Sequence, residues 1–376
     1  MASRNHSSPD SPQRRASASV RRVAATLGTI ALSAIALTLL LTEARPLVES
    51  EADYLVFGTH ARLRILSCEP DSAEAALAEA GQQLARDHRS WHPWENSDLT
   101  ALNADLLAGR ARRVDPALAD LIRQAKRGHA LSGGLFNPAA GRLIDAWGFH
   151  TSDYPVRQAA PSPSMLQQLV AARPTMQDVH VGDDGVVSSR NRMVRLDLNA
   201  VAEGYAATQA RTIVRRHHIE HALLDIGGLV MAMGTDRGQP WSVGVRGPAG
   251  IVGRVQLRDG ETLSSSGDYQ RRRDGREPAG HIIDTAQGHP QRSSAAASII
   301  SRDALLADMA GTTLMVGGPD RFDALTRQMG LRCALLIDHQ GRLLATPGMR
   351  QRLQLTGTYR FEPAGRPADA TARIEC

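Results

Sequence analysis

The sequence predicts an α+β domain. Strand-like alternation and helical spacing both occur along the chain, yet without the steady βαβ alternation of a parallel sheet. Residues 221–267 hold one strand-like run after another, and helical patterns flank that stretch on both sides. The composition fits a packed chain: 376 residues, 42% hydrophobic and 22% charged. Aromatics are only 4%, so the core must rest on Leu, Val, Ile and Ala.

The elements follow in order. Residues 1–22 are rich in Ser, Pro and Arg and read as a disordered basic arm. They carry five arginines against Asp10, +4 of the chain's formal +5. The rest is close to neutral, which argues against a folded domain that binds nucleic acid by charge. Residues 23–41 contain no charged side chain and are long enough to cross a bilayer as one helix. The arginines before them keep the arm cytoplasmic and send the bulk of the chain out. The run exceeds the core of a usual cleaved signal, and Arg45-Pro46 suits cleavage poorly. The expectation is therefore a single-pass inner-membrane anchor with the domain on the periplasmic or extracytoplasmic side.

Residues 42–53 read as a linker and 54–66 as a strand. Asp71 and Glu74 form a capping-box pattern for a helix reaching about His88. Asp115-Pro116 opens another helix, which ends at Gly133-Gly134. Residues 161–174 are a surface loop with a short helix from Met165, and 179–189 a hairpin around Asp183-Asp184-Gly185. Residues 193–198 read as a strand and 201–217 as a helix. Strands follow at 221–226, 229–233, 241–246, 254–257 and 296–300. Asp303 caps a helix that stops at Gly317-Gly318, and Pro319 opens the next, to Met329. Residues 331–337 and 342–345 form a hairpin, and a loose tail spans 357–376. Cys68, Cys333 and Cys376 lack zinc spacing; one disulfide with a spare thiol and three free thiols both fit.

Four segments carry candidate chemistry. In the first, Ser264-Ser265-Ser266-Gly267-Asp268-Tyr269 is followed by a turn-forming run and then His281-Ile282-Ile283-Asp284. A hairpin there would bring a histidine toward two carboxylates, a base awaiting a hydroxyl. In the second, Asp308 and Thr312 stand four apart on a helix and so share a face. Two hard oxygen ligands suit Mg²⁺, although such a pair is more often simply solvated. The third is Asp197-Leu198-Asn199-Ala200 to Glu203-Gly204-Tyr205, a strand-to-helix turn. Gly204 weakens the helix and calls for a close approach of backbone or ligand; the bland reading is that Asp197 and Glu203 only cap the helix. The fourth is Gly133-Gly134-Leu135-Phe136-Asn137, leading to Trp147-Gly148-Phe149. It is neither a P-loop nor a Rossmann fingerprint.

In this order the segments resemble the ApbE family, the FAD:protein FMN transferases. Phe57-Gly58-Thr59, Ser97-Asp98-Leu99 and Asp225-Ile226-Gly227-Gly228 add to the likeness, which covers about residues 54–345. It implies an ApbE-like, T-fold-related domain of mixed sheet and helix over 54–356. It implies FAD as substrate, Mg²⁺, and transfer of FMN to a Thr or Ser of an exported acceptor protein with release of AMP. By position, Asp308, Thr312, Ala200 and Gly311 would hold the metal. Phe57, Trp94, Leu135, Phe136, Asn137, Asp197, Glu203 and Ile283 would hold the flavin nucleotide. His281 would take the acceptor proton, oriented by Asp284 or Asp268. Asn137, Leu229 and Thr285 depart from the family pattern. An FAD pyrophosphatase and a non-catalytic FAD-binding protein are the alternatives.

Overall fold

The structure is a computed structural model that describes residues 46–275, 278–357, 359–361 and 376. The expected basic arm, the membrane helix at 23–41 and most of the tail lie outside these residues. Among the described residues no helix is long and apolar enough to cross a membrane.

Eight strands build the main sheet: β1 Val48–Val56, β2 Thr59–Ser67, β3 His221–Ile226, β4 Leu229–Met233, β5 Thr262–Gly267, β6 Ser294–Ser301, β7 Cys333–Asp338 and β8 Leu343–Ala345. Their order in the sheet is their order in the chain. Every neighbouring pair is antiparallel. Such a meander needs no crossover helices between adjacent strands, which is why the sequence lacks βαβ alternation. β1 is largely solvated, whereas β7 is buried along its whole length. Helix α7 (Ala304–Gln328) accounts for one covered face, lying on β5, β6 and β7. A smaller sheet of Trp241–Gly247, Gly250–Leu257 and Gln354–Leu355 touches β5 and β6.

The remaining helices are α1 Pro70–Trp91, α2 Asp98–Leu107, α3 Pro116–Leu131, α4 Gly141–Ala146, α5 Pro163–Ala171, α6 Asn199–Arg216 and α8 Pro347–Arg352. Apolar residues of α1, α2, α3 and α6 share one core with β1 to β4. That core is Leu- and Ala-rich, as the scarcity of aromatics required.

Several local expectations need correction. Residues 54–66 are not one strand but parts of a β1–β2 hairpin, whose turn is made by Phe57 (φ 54°) and Gly58 (φ 67°). β1 also takes in Val48–Asp53, part of the expected linker. No Asp71 capping box forms: Glu69 is the N-cap, its side chain does not cap the helix, and Pro70 supplies the pre-set first turn. Residues 193–198 form no strand. Arg195 and Asp197 donate their backbone N–H groups to Ala139 and Pro138, and Leu196 exchanges bonds with the Asn103 side chain. The alternation there reports burial of Val194, Leu196 and Leu198, not a ladder. The α2 helix carries a readable signal that the propensity reading passed over: the Ser97 side chain accepts from Thr100 N at 3.0 Å in a capping box. Within α7 the expected break is present, with Gly318 at φ 69° and ψ −177° just before Pro319. Cys333 and Cys376 form a disulfide, and Cys68 is free and exposed.

Candidate active site

A cavity of about 420 Å³ opens where the β1–β2 turn, the end of β5 and the N-terminal half of α6 meet α7. Its geometry starts with one missing side chain. Gly204 on α6 faces α7 so closely that a Cβ would sit 2.7 Å from the Ala304 carbonyl oxygen and 3.1 Å from Asp308 Cβ. The helices therefore touch, and the Gly204 N–H donates to Asp308 Oδ2 at 2.9 Å. This is the close backbone approach that Gly204 in an early helical turn implied. Ala200 departs from helical angles (φ −80°, ψ 16°), so the first turn of α6 is kinked beside the cavity.

Two acids share this floor, buried Asp308 and half-buried Glu203. Glu203 is pushed up by burial and by the Asp308 charge. Asp308 is pushed up by burial, against the Gly204 hydrogen bond. Neither carboxyl makes an ion pair among the described residues, so each favours its neutral form or a cation. Thr312, one turn along α7, lines the same cavity. Gly311 is buried behind it, where a Cβ would meet Ser266 Oγ at 2.3 Å.

Asp197 does more than cap α6, although its Oδ1 does accept from Asn199 N at 3.0 Å. Its Oδ2 lies 2.9 Å from His150 Nε2, and His150 Nδ1 lies 3.2 Å from Asp145 Oδ1. Burial opposes the charge on Asp197, but the His150 contact wins and holds its pKa below the usual range. Burial likewise opposes charge on His150, and its two carboxylates raise its pKa. Trp94 stacks on this imidazole, with ring centroids 5.5 Å apart and planes 23° apart.

His281 sits in the wall. Its Nδ1 is buried without a hydrogen-bond partner. Burial, helped by the charge of Arg271, pushes its pKa down to about 4. The ring is thus neutral near pH 7, with Nδ1 left unpartnered. The expected orienting acids are elsewhere. Asp284 Oδ1 accepts from the N–H groups of Ala286 and Gln287, which closes a turn. Asp268 lies 3.2 Å from His339 Nε2. The hairpin forms as expected, pairing Arg272–Arg273 with Ala279–Gly280, but its carboxylates point to other partners.

The structure brings Trp94, Leu135, Phe136, Asn137, Asp197, Ala200, Glu203, His281, Ile283, Asp308 and Thr312 to the cavity lining. Phe57 stands behind it, stacked on Trp91 at 6.0 Å, while its neighbours Gly58 and Thr59 face in. Asn137 Nδ2 donates to Pro174 O at 2.9 Å, so its amide also holds the loop. Two residues escaped the sequence reading. His150 follows Trp147-Gly148-Phe149 directly, but only the fold shows its carboxylates. Arg271 opens the arginine-rich turn and was submerged in it.

A cavity with an aromatic wall, a neutral histidine and two acids without ion pairs among the described residues combines the parts of an acid–base site. The ApbE family model matches residues 57–335, and the chain belongs to the ApbE family. A relative in Rhodobacter capsulatus, named FAD:protein FMN transferase, is 37% identical over 312 residues, 82% of this chain. The match spans only 59% of that relative's length. A Treponema pallidum relative of the same name is 31% identical across 80% of this chain and 88% of its own. Among solved structures, the ApbE protein of Thermotoga maritima aligns with TM-score 0.73 at 25% identity, covering 81% of this chain and 99% of its own. The flavin transferase ApbE of Vibrio cholerae shares the fold, with TM-score 0.72 at 21% identity over 82% of this chain and all of its own. The mixed sheet-and-helix fold is thus that of the family.

Proposed function

We propose that this protein is a Mg²⁺-dependent FAD:protein FMN transferase. The observation that carries the reading is the pairing, in one cavity, of a neutral histidine with an unpartnered Nδ1 and two carboxyls that make no ion pair among the described residues. The relatives' shared name supplies the reaction class.

The chemistry follows from the residues. A Thr or Ser hydroxyl of the acceptor attacks the FMN phosphorus of FAD. Its proton passes to His281, the new P–O bond forms on the hydroxyl oxygen, and the bond to AMP breaks. Asp308, Thr312 and the carbonyls of Ala200 and Gly311 are hard oxygen donors of the kind Mg²⁺ takes. When bound, the ion would neutralise charge on the phosphates. Trp94 offers a stacking face to the flavin. The His150–Asp197 pair supports both that face and the start of α6.

The acceptor is an exported protein that presents Thr or Ser to an open site. The uncharged stretch at 23–41 supports an inner-membrane anchor with the domain outside the cytoplasm. The Cys333–Cys376 disulfide agrees with an oxidising compartment.

The test is mass spectrometry of an exported flavoprotein fragment with an exposed Thr, incubated with the full-length protein, FAD and Mg²⁺. The expected product is an FMN adduct on Thr, with AMP in equal amount. AMP and free FMN without any adduct would make the protein an FAD pyrophosphatase, and bound but unconverted FAD would make it a non-catalytic binder.

A further inference from the structure

We propose that Arg271 is the phosphate anchor of the cavity: its guanidinium grips the diphosphate of the flavin dinucleotide and selects it over phosphate-free flavins. The inference rests on the flavin reading above. Among the described residues, the acids, histidine and cationic side chains lining the cavity are Asp197, Glu203, Asp308, His281 and Arg271. Among the described residues, Arg271 is thus the single guanidinium or ammonium in the lining. A dinucleotide brings two negative charges into a space that already holds three carboxyl groups. Asp197 is matched by His150, and neither Glu203 nor Asp308 makes an ion pair with Arg271 among the described residues. The charge of Arg271 is therefore available to an incoming anion.

Its position is preset. Arg271 Nη2 donates to the Phe57 carbonyl at 3.1 Å, the one hydrogen bond of its guanidinium among the described residues. A guanidinium has five N–H donors, so most remain for a ligand. The Phe57 carbonyl is itself fixed. Phe57 N–H donates to His88 Nδ1 at 3.1 Å, and its ring stacks on buried Trp91. An arginine held at one corner presents a planar fork suited to two phosphate oxygens, with little further ordering cost. Arg271 shares the cavity lining with the base His281 and the acids Asp197, Glu203 and Asp308.

The experiment uses the full-length protein, stripped of flavin, as wild type, Arg271→Met and Arg271→Lys. Kd is measured by fluorescence for FAD, ADP and riboflavin. Hydrogen bonds to a charged group are worth about 1.5–3 kcal/mol, so Arg271→Met should weaken FAD and ADP by about tenfold or more. Riboflavin should stay within about twofold, and the salt dependence of FAD binding should flatten. Arg271→Lys keeps the charge but loses the fork, and should fall between; it carries the test alone if the Met variant does not fold. FAD affinity within about twofold of wild type, or equal weakening of FAD and riboflavin, would overturn the proposal. A wild-type protein that binds none of the three probes would instead remove the flavin reading itself.

Discussion

Gly204→Ala tests the contact that builds the acid floor. The new methyl would lie 2.7 Å from the Ala304 carbonyl oxygen, a backbone atom that cannot rotate away. Overpacking of this kind costs about 1–3 kcal/mol. If α6 and α7 part to relieve it, the Gly204 N–H to Asp308 bond at 2.9 Å is lost as well. A hydrogen bond to a charged group contributes about 1.5–3 kcal/mol, and less if Asp308 is neutral. Against this, Ala is better than Gly in a helix by about 1 kcal/mol. Where both costs apply, the balance is a net loss of about 1.5–5 kcal/mol. Urea unfolding of ligand-free protein should show a lower midpoint with an unchanged slope. Mg²⁺-dependent turnover should fall further, because Asp308 moves relative to Ala200. A variant as stable as wild type, or more so, would mean that helix propensity outweighs the clash. The tight α6–α7 contact would then not be what holds the two acids in place.

Three further outcomes are expected. His281→Ala should lower FMN transfer by about 10²- to 10⁴-fold while FAD still binds; normal transfer would dismiss His281 as the base. Because His281 is pushed down to about 4, the unfolded chain takes up its proton first as pH falls from the ordinary histidine range. Wild type should therefore lose stability in that window, and His281→Ala should lose less, as read from thermal midpoints against pH. Glu203 and Asp308 are shifted the other way, so metal-free protein should lose stability as pH rises from the ordinary carboxylate range toward and past neutrality. Asp308→Asn, which keeps an oxygen for Gly204 N–H, should flatten that slope, and Mg²⁺ should stabilise wild type but not the variant. Trp94→Ala should weaken FAD by about 1–3 kcal/mol, the worth of one stacked ring, in a fluorescence titration; unchanged affinity would remove Trp94 from the flavin wall.

Local rules served well where the signal is chemically local. The Gly317-Gly318-Pro319 break in α7, the Asp115 and Asp303 caps and the strands from His221 to Met233 needed only neighbours a few residues away. The α+β class was legible for the same reason: β3, β4 and β5 follow one another without an intervening helix, while the helices cluster between β2 and β3. The β1–β2 turn was not, because Phe57 adopts a left-handed conformation that an aromatic residue rarely takes and that no Asn-Gly signal announces. Residues 193–198 misled because alternation reports one buried face and says nothing of a pairing partner.

By itself, then, the sequence determined the α+β class, the order of motifs and the supply of groups: a histidine, several acids, a helix with Asp308 and Thr312 on one face. Which groups meet was decided only in three dimensions. Asp268 lies near His281 in sequence but pairs with His339, and Asp284 closes its own turn. Arg271 is fixed by Phe57, 214 positions away, and Gly204 meets Asp308 across 104. Contacts across such distances depend on how strands and helices stack, on whether a carbonyl leaves room for a methyl, and on which charges burial leaves uncompensated.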